Sequence, residues 1–239
     1  MDALALAAGN AAAFWTRVAA ARGYTVSRGE DFVAVEGDER YGLRVLTLGP
    51  LRPPADLTAL AGLVARPGRV VIEDAFGAAD LAAAAMSVRH LPTMIRYAGE
   101  PVDAPAIPVR AVESAADLRI AERIVVDGFA LEQFQPYEPG VVFPDALLGP
   151  AELFVADLDG EPAGACVAVP EDEVVGVYWV TTMPRFRSRG LGRALMHELL
   201  RRFDDRPVTL TASRLGRPLY ESLGFDNLGD ASWWTPVSR

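Results

Sequence analysis

Hydrophobic residues follow two different spacings along the N-terminal part of the chain. In some segments they recur at helical spacing, and in others they form short runs or alternate with polar residues. The pattern predicts helices at 2–22, 57–63 and 78–86 and strands at 31–35, 41–48, 70–72 and 94–97. We therefore expect an α/β arrangement before residue 100.

A proline-rich stretch interrupts this pattern near residue 100. It contains Pro101, Pro105 and Pro108 and offers little to bury, which is typical of a linker. We predict an α/β N-terminal domain at 1–100, a linker at 101–106 and a second domain at 107–239.

The second domain combines a meander of strands with later helical segments. After an irregular stretch at 128–150, three β-rich runs follow closely, as in an antiparallel meander. Beyond them the apolar positions take helical spacing from Leu191 to Phe203. The predicted strands are 109–112, 152–158, 164–169, 174–182, 207–213 and 233–237, and the predicted helices are 114–125, 191–203 and 218–223. This order predicts a mixed sheet with helices.

Charge and cysteine content narrow the choice of partners. The net charge is -9, so the field of the protein repels polyanions, and we expect neither nucleic acid nor an anionic membrane surface as a partner. No apolar stretch is long enough to span a bilayer. The single cysteine, Cys166, cannot form an internal disulfide or by itself build a metal site. We expect a cytoplasmic protein without a metal.

The segment TTMPRFRSRGLGRALMHELL, at 181–200, holds the most informative motif. A strand ends at Pro184 and a helix starts a few residues later, so unpaired N–H groups and the positive end of the helix dipole meet there. Glycines allow close approach, and arginines suit phosphate oxygens. The residues concerned are Arg187, Ser188, Arg189, Gly190, Leu191, Gly192 and Arg193. The pattern favours a pyrophosphate site, although a tight turn with solvated arginines would have the same sequence.

Two other phosphate motifs do not fit this chain. The P-loop requires a lysine, and the chain has none. The dinucleotide fingerprint requires a third glycine and an early βαβ unit, and neither is present.

Two motifs together resemble the GCN5-related N-acetyltransferases. That family has Arg or Gln, two residues, Gly, one residue, and Gly or Ala after a strand that commonly ends in proline; a Tyr and a Gly-Phe pair follow downstream. Here these positions are Pro184, Arg187, Gly190, Gly192, Tyr220, Gly224 and Phe225, the last three within PLYESLGF. The resemblance covers roughly 107–239.

The resemblance implies a mixed α/β sheet in which strand 174–182 splays from strand 207–213. Acyl-CoA would lie in the opening, with its pantetheine arm on the backbone of Val180, Thr181 and Thr182. Its pyrophosphate would bind the amides from Ser188 to Arg193. Ser213 stands where many relatives have an asparagine that contacts the arm. Tyr220 matches the general acid, since a phenol near pKa 10 can protonate the CoA sulfur.

The implied activity is N-acetyl transfer, by direct attack, from acetyl-CoA or another acyl-CoA to an amine of a small molecule or peptide. No metal takes part. The general base stays open, because neither of the two splayed strands contains a carboxylate. Glu152, Glu132, Tyr178 or a chain of waters are the alternatives. A non-catalytic acyl-CoA-binding regulatory or sensor module is the second hypothesis for function.

The N-terminal part lacks both motifs. Its alternation of helices and strands is similar to a degenerate or partial copy of the same fold, and an unrelated α/β cap would give the same pattern. We expect it to complete the acceptor cleft or to form an oligomer interface, with a homodimer as one outcome.

Overall fold

The computed structural model describes residues 2–51, 55–64, 68–82 and 85–237. The chain splits into two compact units. The first unit contains Met1–Ile95, Thr211–Tyr220 and Asp226–Arg239, and the second unit contains Arg96–Leu210 and Glu221–Phe225. This division places two C-terminal segments with the N-terminal part, whereas the division by composition placed them in the second domain. The domain boundaries drawn from the sequence stay a prediction.

The first unit is built on α1, which packs against the neighbouring strands β2 and β3. The helix begins after Asp2, whose carboxylate accepts the amide of Leu4, and ends at Gly23, where φ is 68°. Its elements are α1 Ala3–Arg22, β1 Thr25–Arg28, β2 Phe32–Glu36, β3 Leu43–Thr47, α2 Ala55–Val64, β4 Val70–Asp74, β5 Met86–Arg96, α5 Arg217–Glu221 and β11 Asp226–Pro236.

The strands of the first unit follow the order β1-β2-β3-β4-β11-β5. β3 and β4 are parallel, and the other neighbours run antiparallel. Val45 and Ile72 are fully buried in a cluster that also holds Trp234 of β11. Each such side chain contributes about 1.5–3 kcal/mol on burial, so this cluster is a hydrophobic core of its own.

The second unit contains the meander that the sequence predicts. Its elements are β6 Val109–Ala111, α3 Ala115–Gly128, β7 Glu152–Leu158, β8 Glu161–Pro170, β9 Val175–Thr182, α4 Leu191–Arg202 and β10 Val208–Thr211. The strands follow the order β10-β9-β8-β7-β6, in which β10 and β9 are parallel and the rest antiparallel. The strands expected at 152–158, 164–169 and 174–182 and the helix expected at 191–203 are confirmed.

Helices α3 and α4 cover opposite faces of this sheet. A Cβ on Gly164 would meet Leu195 of α4. The next residue of β8, Ala165, pairs with Thr181, and the Thr181 side chain lies against Gly128 of α3. Because neighbouring residues of a strand point to opposite faces, the two helices enclose the sheet between them. Both faces of β8 are therefore buried.

Two sequence predictions for the first unit were wrong in their extent or type. The helix expected at 78–86 is not formed: residues 78–82 contain no α-helix, residues 83–84 lie outside the described part, and Met86 begins β5. Alanine favours helix, but strand β5 pairs with β11 from Met86 to Ile95, and tertiary pairing outweighs local propensity. The strand expected at 94–97 is only the end of β5.

No helix among the described residues has the length and apolar character needed to cross a membrane.

Candidate functional site

Strand β9 leaves its parallel neighbour β10 halfway along its length. The two strands pair at Val175 with Val208, Gly176 with Thr209 and Val177 with Leu210. β9 then continues to Thr182, and within the described residues no strand pairs with residues 178–182 on that side. We call residues 178–182 the open segment. On that side the backbone groups of Val180, Thr181 and Thr182 can pair with a ligand.

A β-bulge lies within the open segment. On the other side of β9, Thr181 pairs with Ala165 but Tyr178 pairs with Val167, so two residues of β9 face one of β8. One of the two, Trp179, has a φ of 57°, which is rare for a bulky side chain. Strain of this kind often occurs at functional sites, and here it lies just beyond the end of the pairing between β9 and β10.

The three residues expected to hold the pantetheine arm all belong to the open segment. Val180 and Thr182 are half-buried, and Thr181 is 8% exposed. The Thr181 side chain packs so closely on Gly128 that a Cβ there would lie 2.5 Å from its Oγ1. Thr181 would therefore bind a ligand through its backbone rather than through its hydroxyl.

The helix start after β9 has the form of an anion site. A turn at Pro184–Phe186 buries Phe186, and Ser188 and Gly190 then take φ values of 60° and 88°. Gly190 is the N-cap of α4, and no side chain caps the helix. The amides of the first turn, Leu191 to Arg193, have no partner within the helix and point toward the same space. Together with the helix dipole they can bind phosphate oxygens.

The arginines near this helix start already have partners. Arg187 donates to the carbonyl of Gly128 at 2.8 Å, so it ties the loop to the C-terminal end of α3. Arg189 forms an exposed ion pair with Asp159, and Arg193 donates to the Ser222 hydroxyl. Exposed pairs of this kind are weak and can exchange for a phosphate. Arg187 is exposed, but its hydrogen bond to Gly128 is partly buried and links the loop to α3.

Ser213 and Tyr220 lie together in the first unit. The Ser213 hydroxyl accepts the Gly216 amide at 3.0 Å, which closes the turn before α5. Tyr220 is 7% exposed, and a Cβ on Gly216 would lie 3.1 Å from its ring and 3.2 Å from Ser213 Oγ. Gly216 therefore permits the close packing of these two side chains. The open segment and the helix start form a separate group in the second unit.

The candidates for a general base lie in different environments. Glu152, at the start of β7, forms an ion pair with Arg202 at 2.8 Å and raises the pKa of that guanidinium. Glu132 is exposed in a short turn after α3. Tyr178 is the first residue of the open segment. Among the described residues no group of His, Cys, Asp and Glu is arranged to hold a metal.

Two residues of the second unit escaped the sequence reasoning. Trp179 gave no signal, since a bulge depends on the register between two strands. Glu122 of α3 is fully buried, and it did give a signal. It lies four residues after Leu118 and three before Val125, so a carboxylate occupies the apolar stripe of the helix.

The second unit is thus a mixed α/β fold in which β9 separates from β10. A short loop then leads to the uncapped start of α4, which can bind an anion. The family model described as "Acetyltransferase (GNAT) domain" matches residues 131–232. Residues 131–232 are therefore similar to a GNAT-type acetyltransferase domain, the family whose two motifs the sequence resembles.

Solved structures confirm the fold over most of the chain. A GCN5-related N-acetyltransferase from Kribbella flavida is 17% identical, with 96% of each chain covered and a TM-score of 0.61. An acetyltransferase of the GNAT family from Novosphingobium aromaticivorans is 18% identical, with 90% of this chain and 92% of that chain covered and a TM-score of 0.59. At such identities the likeness concerns the fold alone. No curated protein matches the sequence.

Proposed function

We propose that the protein transfers an acetyl or other small acyl group from acyl-CoA to an amine. The observation that carries this proposal is the open segment of β9 beside the start of α4. An extended chain with amide groups can add to an unpaired strand edge through backbone hydrogen bonds. The pantetheine arm is such a chain, and the pyrophosphate at its end suits the amides after Ser188.

The length of the open segment supports this arrangement. Residues 178–182 span about 16 Å at 3.3 Å per residue. With the pyrophosphate near the start of α4, the arm would run back along β9, and its thioester would lie near Tyr178 and Trp179. The bulge is at that place.

The proposed reaction is direct attack of a neutral amine on the thioester carbon. The C–N bond forms, the C–S bond breaks, the amine loses a proton and the CoA thiolate gains one. We propose Tyr220 as the acid that protonates the sulfur, on the strength of the PLYESLGF motif. An alkyl amine has a pKa near 10.4, so a base must also remove its proton.

The position of Glu152 argues against it as this base. Its strand is two places away from β9 in the sheet, about 10 Å at the usual strand spacing, and its carboxylate is engaged by Arg202. Tyr178, Glu132 and a chain of waters stay as candidates. Tyr178 has the advantage of lying at the first position of the open segment.

The test combines binding with turnover. Titration of acetyl-CoA into the protein should give saturable binding, and CoA thiol release should be measured across a panel of amines. Tyr220→Phe should lower kcat by about 10²–10⁴-fold while acetyl-CoA binding is unchanged, because only proton donation is lost. Tyr97→Phe changes an exposed tyrosine in the same way and serves as the control.

One observation favours the second hypothesis, a non-catalytic acyl-CoA sensor. Neither β9 nor β10 carries an Asp or Glu in its described residues. Acetyl-CoA binding without thiol release on any amine would support the sensor. Absence of acetyl-CoA binding would contradict both hypotheses.

A further inference from the structure

Helix α3 carries a fully buried carboxylate that no step of the proposed reaction uses. Glu122 accepts hydrogen bonds from five groups, four of which belong to one loop. The donors are the amides of Gly140 at 2.7 Å, Val142 at 2.6 Å and Phe143 at 2.9 Å, the hydroxyl of Tyr137 at 2.8 Å and the guanidinium of Arg119 at 3.0 Å. One side chain thus fixes residues 137–143, which we call the anchored loop.

Arg119, one turn earlier on α3, holds the same loop through acceptors. Its guanidinium donates to the Phe143 carbonyl at 2.6 Å and to Asp145 at 2.8 Å. Gly140 has a φ of 86°, and a Cβ there would lie 2.7 Å from Arg119 Nη1. The loop therefore closes on α3 in a shape that only glycine permits at its centre.

The carboxylate is not required to fill the core. Its neighbours on the helix stripe are apolar, and burying a charge is costly unless hydrogen bonds satisfy it. An apolar side chain of similar volume would complete the stripe at lower cost. What Glu122 adds is a set of acceptors for loop amides that belong to no helix or strand. It specifies the shape of the loop.

The anchored loop belongs to a connection that leaves α3 beside the open segment. At the end of the helix, Gly128 lies against Thr181, and the rings of Phe129 and Trp179 meet with their centroids 5.5 Å apart. The chain then turns back along α3 as far as Arg119. The connection thus starts at the bulge, where the proposed thioester lies, and its return is held by Glu122.

We propose that Glu122 is a positioning residue for the acceptor amine: by holding the anchored loop, it fixes the shape of the connection that receives the acceptor where it starts beside the bulge. This inference rests on the proposed acyl transfer. Glu122 touches neither substrate nor acyl-CoA in this scheme. Its loss should therefore affect the acceptor and leave acyl-CoA binding unchanged.

The experiment compares Glu122→Gln with Asp117→Asn, the same isosteric change at a partly buried carboxylate in the first turn of α3, away from the anchored loop. An amide presents two donors to the Tyr137 hydroxyl and the loop amides, so Glu122→Gln should loosen the loop. We expect the acceptor KM to rise by about tenfold or more while the acetyl-CoA Kd stays within about twofold. Hydrogen exchange at Gly140, Val142 and Phe143 should become faster. Asp117→Asn should change none of these.

A second variant keeps the inference testable if Glu122→Gln does not fold. Tyr137→Phe removes one hydrogen bond to the carboxylate and should shift the acceptor KM in the same direction by a smaller factor. An equal rise in acetyl-CoA Kd and acceptor KM, or a loss of protection at the three amides without a change in KM, would overturn the positioning role. Failure of the wild type to turn over any amine would instead contradict the proposed acyl transfer.

Discussion

The two units share a run of helix, three strands, helix and strand, but differ where their parallel strands meet. The first unit has α1, three antiparallel strands, α2 and then β4 parallel to the third strand. The second unit has α3, three antiparallel strands, α4 and then β10 parallel to the third. This shared order is what a degenerate copy would produce, and the copy itself stays a prediction.

The parallel strands of the first unit are closed at the end where those of the second unit open. β3 and β4 pair as far as Leu46 and Glu73, one residue before both strands end. The next residues are joined by their side chains, since the Thr47 hydroxyl donates to Asp74 at 3.1 Å. β9, in contrast, continues to Thr182 after its pairing with β10 has ended at Val177. In the part of the chain that the structure describes, the same topology thus leaves the edge of the third strand open in the second unit but not in the first.

The helix starts differ in composition as well. Pro53 and Pro54, which lie outside the described residues, precede α2 and have no N–H to donate. The corresponding link before α4 has Gly190 and free first-turn amides. Binding in this fold therefore depends on register and loop residues rather than on the order of elements.

The largest effect on stability is expected when the contact that joins the ends of β3 and β4 is removed. Asp74 is fully buried and also accepts the amides of Phe76 and Ala79. Asp74→Ala leaves these donors unsatisfied and should lower the free energy of unfolding by about 3–5 kcal/mol. Urea unfolding followed by tryptophan fluorescence measures the loss.

Asp80→Ala is the matched control, because Asp80 accepts the amide of Ala82 in the same stretch but is exposed. Its loss should cost less than about 1 kcal/mol. Neither variant should change acetyl-CoA binding. An Asp74→Ala protein as stable as the wild type would show that the closure does not hold the first unit together.

The second largest effect is a loss of acetyl-CoA affinity, and it is expected at the start of α4 in the second unit. Gly190→Val places a β-branched residue at a φ of 88° and displaces the amides of the first turn. We expect acetyl-CoA affinity to fall by about 2–3 kcal/mol, roughly 100-fold, from the backbone strain and the lost hydrogen bonds. Isothermal titration gives this value.

Gly160→Val provides the control for strain alone. Gly160, in the turn between β7 and β8, has a φ of 81° and open space around its Cβ position. Both variants should lose about 1–2 kcal/mol of stability, but Gly160→Val should bind acetyl-CoA normally. Similar losses of affinity in the two variants would contradict the anion site at 188–193.

The smallest effect concerns the first helix of the second unit. The hydrogen bond from Ser114, and then that from Arg110, lowers the pKa of Asp117 below its ordinary 3.8. A folded pKa below the unfolded one adds stability above about pH 4, and that stability is lost as the pH falls through the folded value. The stability of Asp117→Asn should therefore lie closest to that of the wild type once the pH is below the folded pKa of Asp117. Urea midpoints between pH 6 and pH 2.5 test this, and a constant gap would refute it.

The sequence determined the features that depend on neighbouring residues. The meander, α4 and the glycine helix start were predictable because apolar spacing and turn residues act within a few positions. The two motifs were recognisable for the same reason. The prediction of a helix at 78–86 was wrong because β5 pairs with β11, which is more than 130 residues away in the chain. Local propensity does not depend on residues so distant, so it could not predict this pairing.

Only the tertiary structure decided the register of β9. Whether β9 pairs beyond Val177, and whether Trp179 bulges opposite Cys166, depends on backbone hydrogen bonds between distant segments. A shift of one residue would reverse the faces of every side chain beyond it. In the same way, Glu122 showed only as a charge within an apolar stripe until the fold brought the amides of 140–143 onto it. The sequence therefore determined which residues have the chemistry, and long-range pairing determined which of their groups are left unpaired for a ligand.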